Sequence, residues 1–157
     1  MITIDIPGKS QPINITTVLL DLNGTVACDG CLIEGVAERI AKLKEKVDVF
    51  LLTADTFGCG LQIAETLGID FLKVGYLDGN KDKKEFLHRF AASDVAAIGN
   101  GVNDFSMLEE AGLSIIIIGP EGCSVKALTR ADIAASSIND ALDLLLHPMR
   151  IRATLRS

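Results

Sequence analysis

The sequence predicts an α/β fold of three layers, with a central parallel sheet covered by helices on both faces. Three observations predict it. Short apolar runs rich in β-branched residues recur along the chain, at residues 13–20, 47–53, 69–74, 94–98, 114–118 and 133–135, and runs apolar on both faces suit buried parallel strands. Segments with helical spacing alternate with them, and strand–helix alternation builds a parallel sheet. The composition is 48% hydrophobic and 23% charged over 157 residues, which suits one globular domain with a sizeable core.

Taken in order, residues 2–6 and 13–20 read as strands around a turn, Pro7 to Pro12. An N-terminal hairpin, residues 1–16, thus leads directly into a strand ending at Asp21. Residues 34–46 read as an amphipathic helix with Val36, Ile40 and Leu43 on one face. Val47 to Thr53 is a buried strand ending in a hydroxyl. After a loop at 54–58, a helix runs from Cys59 to Leu67 and is stopped by Gly68. Ile69 to Val74 is the next strand and 75–80 a turn. Lysines follow at 81, 83 and 84, with Phe86, Leu87 and Phe90 as the apolar face of their helix. Asp94 to Ile98 is a strand ending in Gly99-Asn100-Gly101-Val102-Asn103-Asp104, and a helix follows from about Phe105 to Ala111. Ser114 to Ile118 is a strand, Ser124 to Leu128 a short helix, Ile133 to Ala135 a short strand and Ile138 to Leu146 a last helix. The basic tail, residues 148–157 with Arg150, Arg152 and Arg156, is expected to pack on the surface in partial order. No repeat or linker interrupts the chain, so residues 1–157 are expected to form one domain.

Charge and cysteines narrow the function. A net charge of −6 opposes a nucleic-acid partner held through phosphates. The longest apolar run, Leu113 to Gly119, is too short for a membrane span. Met1 to Ile6 alternates like a strand and lacks a charged leader, which predicts a cytoplasmic chain. Cys28, Cys31, Cys59 and Cys123 are then expected as reduced thiols. Cys28-Asp29-Gly30-Cys31 has C-x-x-C spacing, but no second close pair completes a zinc site. Its place in a loop after the Asp21 turn does not match a redox motif, which opens a helix.

Polar residues gather at strand ends. The first long strand delivers Asp21 to its carboxyl end, followed at once by Asn23, Gly24 and Thr25. In open α/β sheets that edge binds ligands. Gly24 lets the backbone approach closely, so that successive N–H groups are expected to cradle an anion. Thr53, Asn100 and Asp104 end two further strands, and a lysine cluster lies between them. Carboxylates, a lysine, a hydroxyl and loop amides suit an anion with a divalent cation. Oxygen donors suit Mg²⁺, lysine suits phosphate, and phosphoryl transfer needs this inventory. An aspartate nucleophile forming an acyl phosphate fits it.

Asp21-Leu22-Asn23-Gly24-Thr25, Thr53, a downstream lysine and Gly99 to Asp104, in that order, resemble the four motifs of the haloacid dehalogenase superfamily over residues 17–146. The last motif is similar to that of P-type ATPase phosphorylation domains, and the whole chain is similar to small soluble P-type ATPase-like proteins. The resemblance implies a Rossmann-like fold and a Mg²⁺-dependent phosphatase or phosphotransferase. It implies Asp21 as nucleophile, and Gly24, Thr25, Thr53, Ala54 and a lysine around the phosphate. Lys83 is the expected lysine, from the spacing of the apolar residues after it, with Lys81 and Lys84 as alternatives. Asp21, Asn23, Asn100 and Asp104 are implied around the metal.

Two departures stand out. Family phosphatases carry an Asp as general acid and base where this chain has Asn23. An amide exchanges no proton at neutral pH, and loss of such a group costs about 10²–10⁴ in rate. P-type ATPases also lack a carboxylate there. Asn100 stands where many members have Asp, which predicts weaker Mg²⁺ binding. Together the two asparagines support an alternative, a catalytically weak regulatory or binding module. The intervals from Asp21 to Thr53 and from Thr53 to Lys83 are filled by single helix–strand units, leaving no room for a cap domain. An open site cannot exclude water alone. Either a large substrate, such as a phosphorylated protein, supplies the cover, or a second copy of the chain does, with the N-terminal hairpin as the contact.

Overall fold

The computed structural model describes residues 1–55, 57–75 and 77–156. Thr56, Tyr76 and Ser157, in the expected loop, turn and tail, lie outside the described residues.

An antiparallel hairpin of β1 (Ile2–Ile4) and β2 (Ile13–Ile15) comes first. The expected strand at 13–20 is broken at Thr16, whose N–H turns to the carbonyl of Asp94. β3 (Thr17–Asp21) then starts the main sheet. The other members are β6 (Asp48–Thr53), β7 (Asp70–Lys73), β8 (Val95–Gly99), β9 (Leu113–Ile117) and β10 (Ile133–Ala135). All pair in parallel, in the order β10-β9-β8-β3-β6-β7. β3 is central and wholly buried, because Val18 to Leu20 must satisfy two helical layers at once.

One layer holds α1 (Val36–Lys44), α2 (Gly60–Leu67) and α6 (Ile138–Leu146), packed with Val18, Leu20, Val49 and Leu51. The other holds α3 (Gly79–Leu87), α4 (Phe105–Glu110) and α5 (Val125–Leu128), packed with Leu19, Leu52 and Ala97. Side chains alternate along a strand, so Asp21 faces the same layer as Leu19, the side from which α3 and α4 approach.

Two segments differ from expectation. The stretch around the C-x-x-C is a small hairpin, β4 (Ala27–Cys28) and β5 (Cys31–Leu32), with Cys28 opposite Cys31. Its turn residues Asp29 and Gly30 both have positive φ, 50° and 77°, the signature of the twist-matched two-residue turn that Asp-Gly favours. The tail forms α7 (Pro148–Leu155), begun by Pro148 in the first turn, where its missing N–H is harmless. α7 buries Ile151 in the same core as Ile2, Ile4 and Ile6 of the N-terminal segment. Those isoleucines are therefore covered by the chain itself, at the amino end of β3 and away from Asp21. No helix among the described residues is long and apolar enough to cross a membrane.

Candidate active site

Three ionisable side chains meet beyond the carboxyl end of β3. The ammonium of Lys83 donates to Asp21 Oδ1 at 2.5 Å and to Asp104 Oδ1 at 2.6 Å. Lys83 and Asp104 are fully buried and Asp21 is 4% exposed. Helix geometry selects this lysine. Successive residues turn by about 100°, so Lys83 shares the inner face of α3 with Phe86 and Leu87. Lys81 and Lys84 point outward, to Glu85 and Glu110.

The charges are set against one another. Burial pushes the Asp21 carboxyl up, and the neighbouring Asp104 adds to the effect; Lys83 opposes both, and the carboxyl comes to about 6. Burial alone would lower the Lys83 ammonium, but the two carboxylates outweigh it and the net direction is upward. Lys83 thus stays charged across the physiological range, and Asp21 holds a proton more readily than an ordinary aspartate.

Asp104 serves three partners. Besides Lys83 on Oδ1, its Oδ2 accepts the amides of Asn100 and Gly101 at 3.0 and 2.9 Å. Gly99 is required beneath it, since a Cβ there would lie 2.4 Å from Asp104 Cγ. Both Asp104 oxygens thus hold protein donors, and each keeps a lone pair for a further partner.

The Asp21 loop is organised by its own backbone. Gly24 has φ +77°, and a Cβ on it would meet Asn100 Nδ2 at 2.2 Å. Its N–H donates to the carbonyl of Ala27, and that of Thr25 to Leu22. Both of these amides are consumed in closing the turn. Thr25 contributes its hydroxyl instead, shared between Asp21 Oδ2 at 3.4 Å and Asn100 Oδ1 at 3.3 Å. Asn100 is fixed from its other end, where Nδ2 donates to the carbonyl of Gly122 at 3.1 Å. Asn23 Oδ1 is buried with no hydrogen-bond partner among the described residues.

Thr53 ends β6, buried, and its Oγ1 accepts the Asp55 amide at 2.9 Å. Its hydroxyl proton is left for another acceptor. Ala54 follows, half-buried. The sequence reading missed a reciprocal clamp between helices. Asn80 Nδ2 donates to Ser106 Oγ, and the Ser106 amide donates to Asn80 Oδ1, both at 2.9 Å. This pair ties the start of α3 to α4 and so holds Lys83 against Asp104. Nothing in the spacing of the two residues signals it.

No family model matches the chain. A soluble P-type ATPase-like phosphatase of Methanocaldococcus jannaschii is 28% identical over 141 residues, 87% of this chain and 51% of that protein. The cobalt-bound deoxy-D-mannose-octulosonate 8-phosphate phosphatase of Haemophilus influenzae superposes with a TM-score of 0.71 over 92% of this chain and 94% of that one, at 16% identity. The chain has the fold of the haloacid dehalogenase-type hydrolases. A 3-deoxy-D-manno-octulosonate 8-phosphate phosphatase of Moraxella catarrhalis, seen with magnesium, phosphate and its sugar acid, shares the haloacid dehalogenase fold at a TM-score of 0.68 and 18% identity, over 88% and 90% of the two chains. An uncharacterised protein of M. jannaschii is 50% identical over 62 residues, 40% of this chain and 67% of that protein. The chain spans about half the length of the P-type ATPase-like phosphatase it matches.

Proposed function

We propose that the chain is a Mg²⁺-dependent phosphatase or phosphotransferase that forms an aspartyl phosphate on Asp21. The observation that carries this is the buried Lys83 bridging Asp21 and Asp104. Burying an ammonium between two carboxylates is costly for stability alone. It is well suited to a site that must hold a phosphoryl group and neutralise it as it transfers.

An Asp21 oxygen would attack phosphorus in line, and the bond to the leaving oxygen would break with its electron pair. Lys83 and the Thr53 hydroxyl would hold the phosphoryl oxygens. Asn23 can neither protonate the leaving group nor activate water, so good leaving groups are favoured and the second step, hydrolysis of the acyl phosphate, is slow. The oxygens present fit a hard divalent cation: Asp21 Oδ2, the carbonyls of Asn23 with its orphaned Oδ1, and Asn100 Oδ1. When bound, Mg²⁺ would screen the charge of the incoming phosphate. Asp104 would act on the site by positioning Lys83 and the 100–101 loop. Phe57, Leu77, Val102 and Val125, exposed in the segments that follow β6, β7, β8 and β9, support cover of this open edge by a large substrate or a second copy.

The test is Mg²⁺-dependent hydrolysis of an aryl phosphate by the native chain, Asp21→Asn and Asn23→Asp. Native turnover that vanishes in Asp21→Asn and rises about tenfold or more in Asn23→Asp is expected. No turnover in the native chain or in Asn23→Asp would overturn the reading in favour of a binding module.

A further inference from the structure

The C-x-x-C of residues 28–31 has no second cysteine pair near it in sequence, and the fold supplies other donors from far along the chain. The β4–β5 hairpin sets Cys28 directly opposite Cys31. Side chains of an opposed pair stand on one face of a hairpin, with Cβ atoms about 4.5–5.5 Å apart. Asp29, in the turn, and Glu121, in the loop after β9, come to the same place. The ligand atoms of Cys28, Asp29 and Glu121 all lie within 4.8 Å of one another. The hairpin itself fixes Glu121 there, since its Oε1 accepts the Asp29 amide at 2.8 Å. That bond joins residues 92 positions apart and leaves Oε2 for another partner. Neither carboxylate forms an ion pair with a lysine, arginine or histidine among the described residues. Two carboxylates and two acidic thiols thus meet with no cationic side chain to offset them.

The donor set selects the ion. Hard cations such as Mg²⁺ and Ca²⁺ take oxygens, whereas thiolates select softer metals, and mixed sulfur and oxygen donors suit Zn²⁺. Bonds of about 2.0–2.3 Å to Zn²⁺ put neighbouring ligand atoms about 3.5 Å apart. Cys31, Asp29 and Glu121 are exposed and Cys28 is half-buried, so side-chain rotations close the set without moving the hairpin. Four singly charged ligands then balance the ion as four thiolates do in closed structural sites.

We propose that Cys28, Cys31, Asp29 and Glu121 form a tetrahedral Zn²⁺ site, separate from the Asp21 centre and independent of its chemistry. The ion joins the β4–β5 hairpin to the loop after β9. Gly122, next to Glu121, accepts Asn100 Nδ2 on its carbonyl, so the ion braces the loop that holds Asn100.

Co²⁺ titration of the reduced full chain in excess Mg²⁺, followed by absorption, tests this site. Thiolate-bound Co²⁺ absorbs strongly in the near ultraviolet and oxygen-bound Co²⁺ does not, so an ion at the Asp21 centre is silent. The native chain is expected to develop the thiolate band with one equivalent of Co²⁺ and to lose it to one equivalent of Zn²⁺. Cys28→Ser and Cys31→Ser should each lower the band by about half or more. Glu121→Gln, at an exposed position, should keep both thiolates and weaken Co²⁺ binding by about tenfold or more. Cys59→Ser and Cys123→Ser should change nothing. No thiolate band in the native chain overturns the inference. So does a band that keeps full intensity in Cys28→Ser or Cys31→Ser, or one that Cys59→Ser or Cys123→Ser removes. Unchanged affinity in Glu121→Gln also overturns it. None of these results depends on aryl phosphate turnover, which tests the Asp21 reading alone.

Discussion

Asp21 is held between two demands. Its carboxyl sits at about 6 in the fold, against 3.8 ordinarily, because it is buried beside Asp104. The folded chain therefore keeps a proton that the unfolded chain releases between about pH 4 and 6. The stability that this group contributes is full below the unfolded value and is lost as pH rises through the folded one. At about 1.4 kcal/mol per unit, the ionised carboxylate costs the metal-free protein on the order of 2–3 kcal/mol at pH 8. Asp21→Asn should remove that cost. Thermal unfolding at pH 8 without metal should show the variant melting several degrees above the native chain, with the gap closing below pH 4. Added Mg²⁺ should raise the native melting temperature and leave the variant's unchanged. A variant no more stable than the native chain at pH 8 would show that Lys83 compensates Asp21 fully.

At the scale of elements, the site depends on how α3 and α4 meet. Lys83 and Asp104 belong to different segments, and the Asn80–Ser106 clamp fixes their separation. Asn80→Ala would leave the Ser106 amide without its acceptor, at a cost of about 1–2 kcal/mol. The expected kinetic signature is a fall in kcat on an aryl phosphate larger than any change in KM, because the lysine is displaced while Asp21 and Thr53 stay in place. Asn80→Asp keeps an oxygen for the Ser106 amide and should recover much of the loss. Equal kcat in all three proteins would reduce the clamp to a purely structural contact.

Across the whole molecule, work is divided between the two ends of the sheet. The carboxyl end carries the site, while the amino end carries the N-terminal hairpin and α7, with Ile151 fully buried against Ile2, Ile4 and Ile6. Ile151→Ala should lower unfolding stability by about 2–4 kcal/mol in denaturant titration and leave the proposed aryl phosphate hydrolysis at 25 °C unchanged, since Asp21, Thr53, Lys83 and Asp104 lie outside the core cluster that holds Ile151. A matching loss of activity would show that the two ends are coupled.

Much of this was legible in the chain. Periodicity alone located the six strands of the main sheet, because buried parallel strands must be apolar on both faces whatever surrounds them. The order of Asp21, Thr53, Lys83 and Asp104 marked the candidate site, since Asp21 and Thr53 end strands, Asp104 precedes a helix and Lys83 lies on the inner face of one. Lys83 could be preferred over Lys81 and Lys84 because only it shares a helical face with Phe86 and Leu87. Other features were not legible. The β4–β5 hairpin strands are two residues long, too short to show a period, although Asp29-Gly30 signalled the turn. The tail's arginines masked a helix whose single buried residue, Ile151, gains its partners only from the opposite end of the chain. The partners of Asp104, Gly24 and Thr25 are hydrogen-bonding groups that only the folded chain brings together. Residue types at strand ends determine which chemistry is available. Which oxygen and which amide remain free for it depends on partners that only packing brings together.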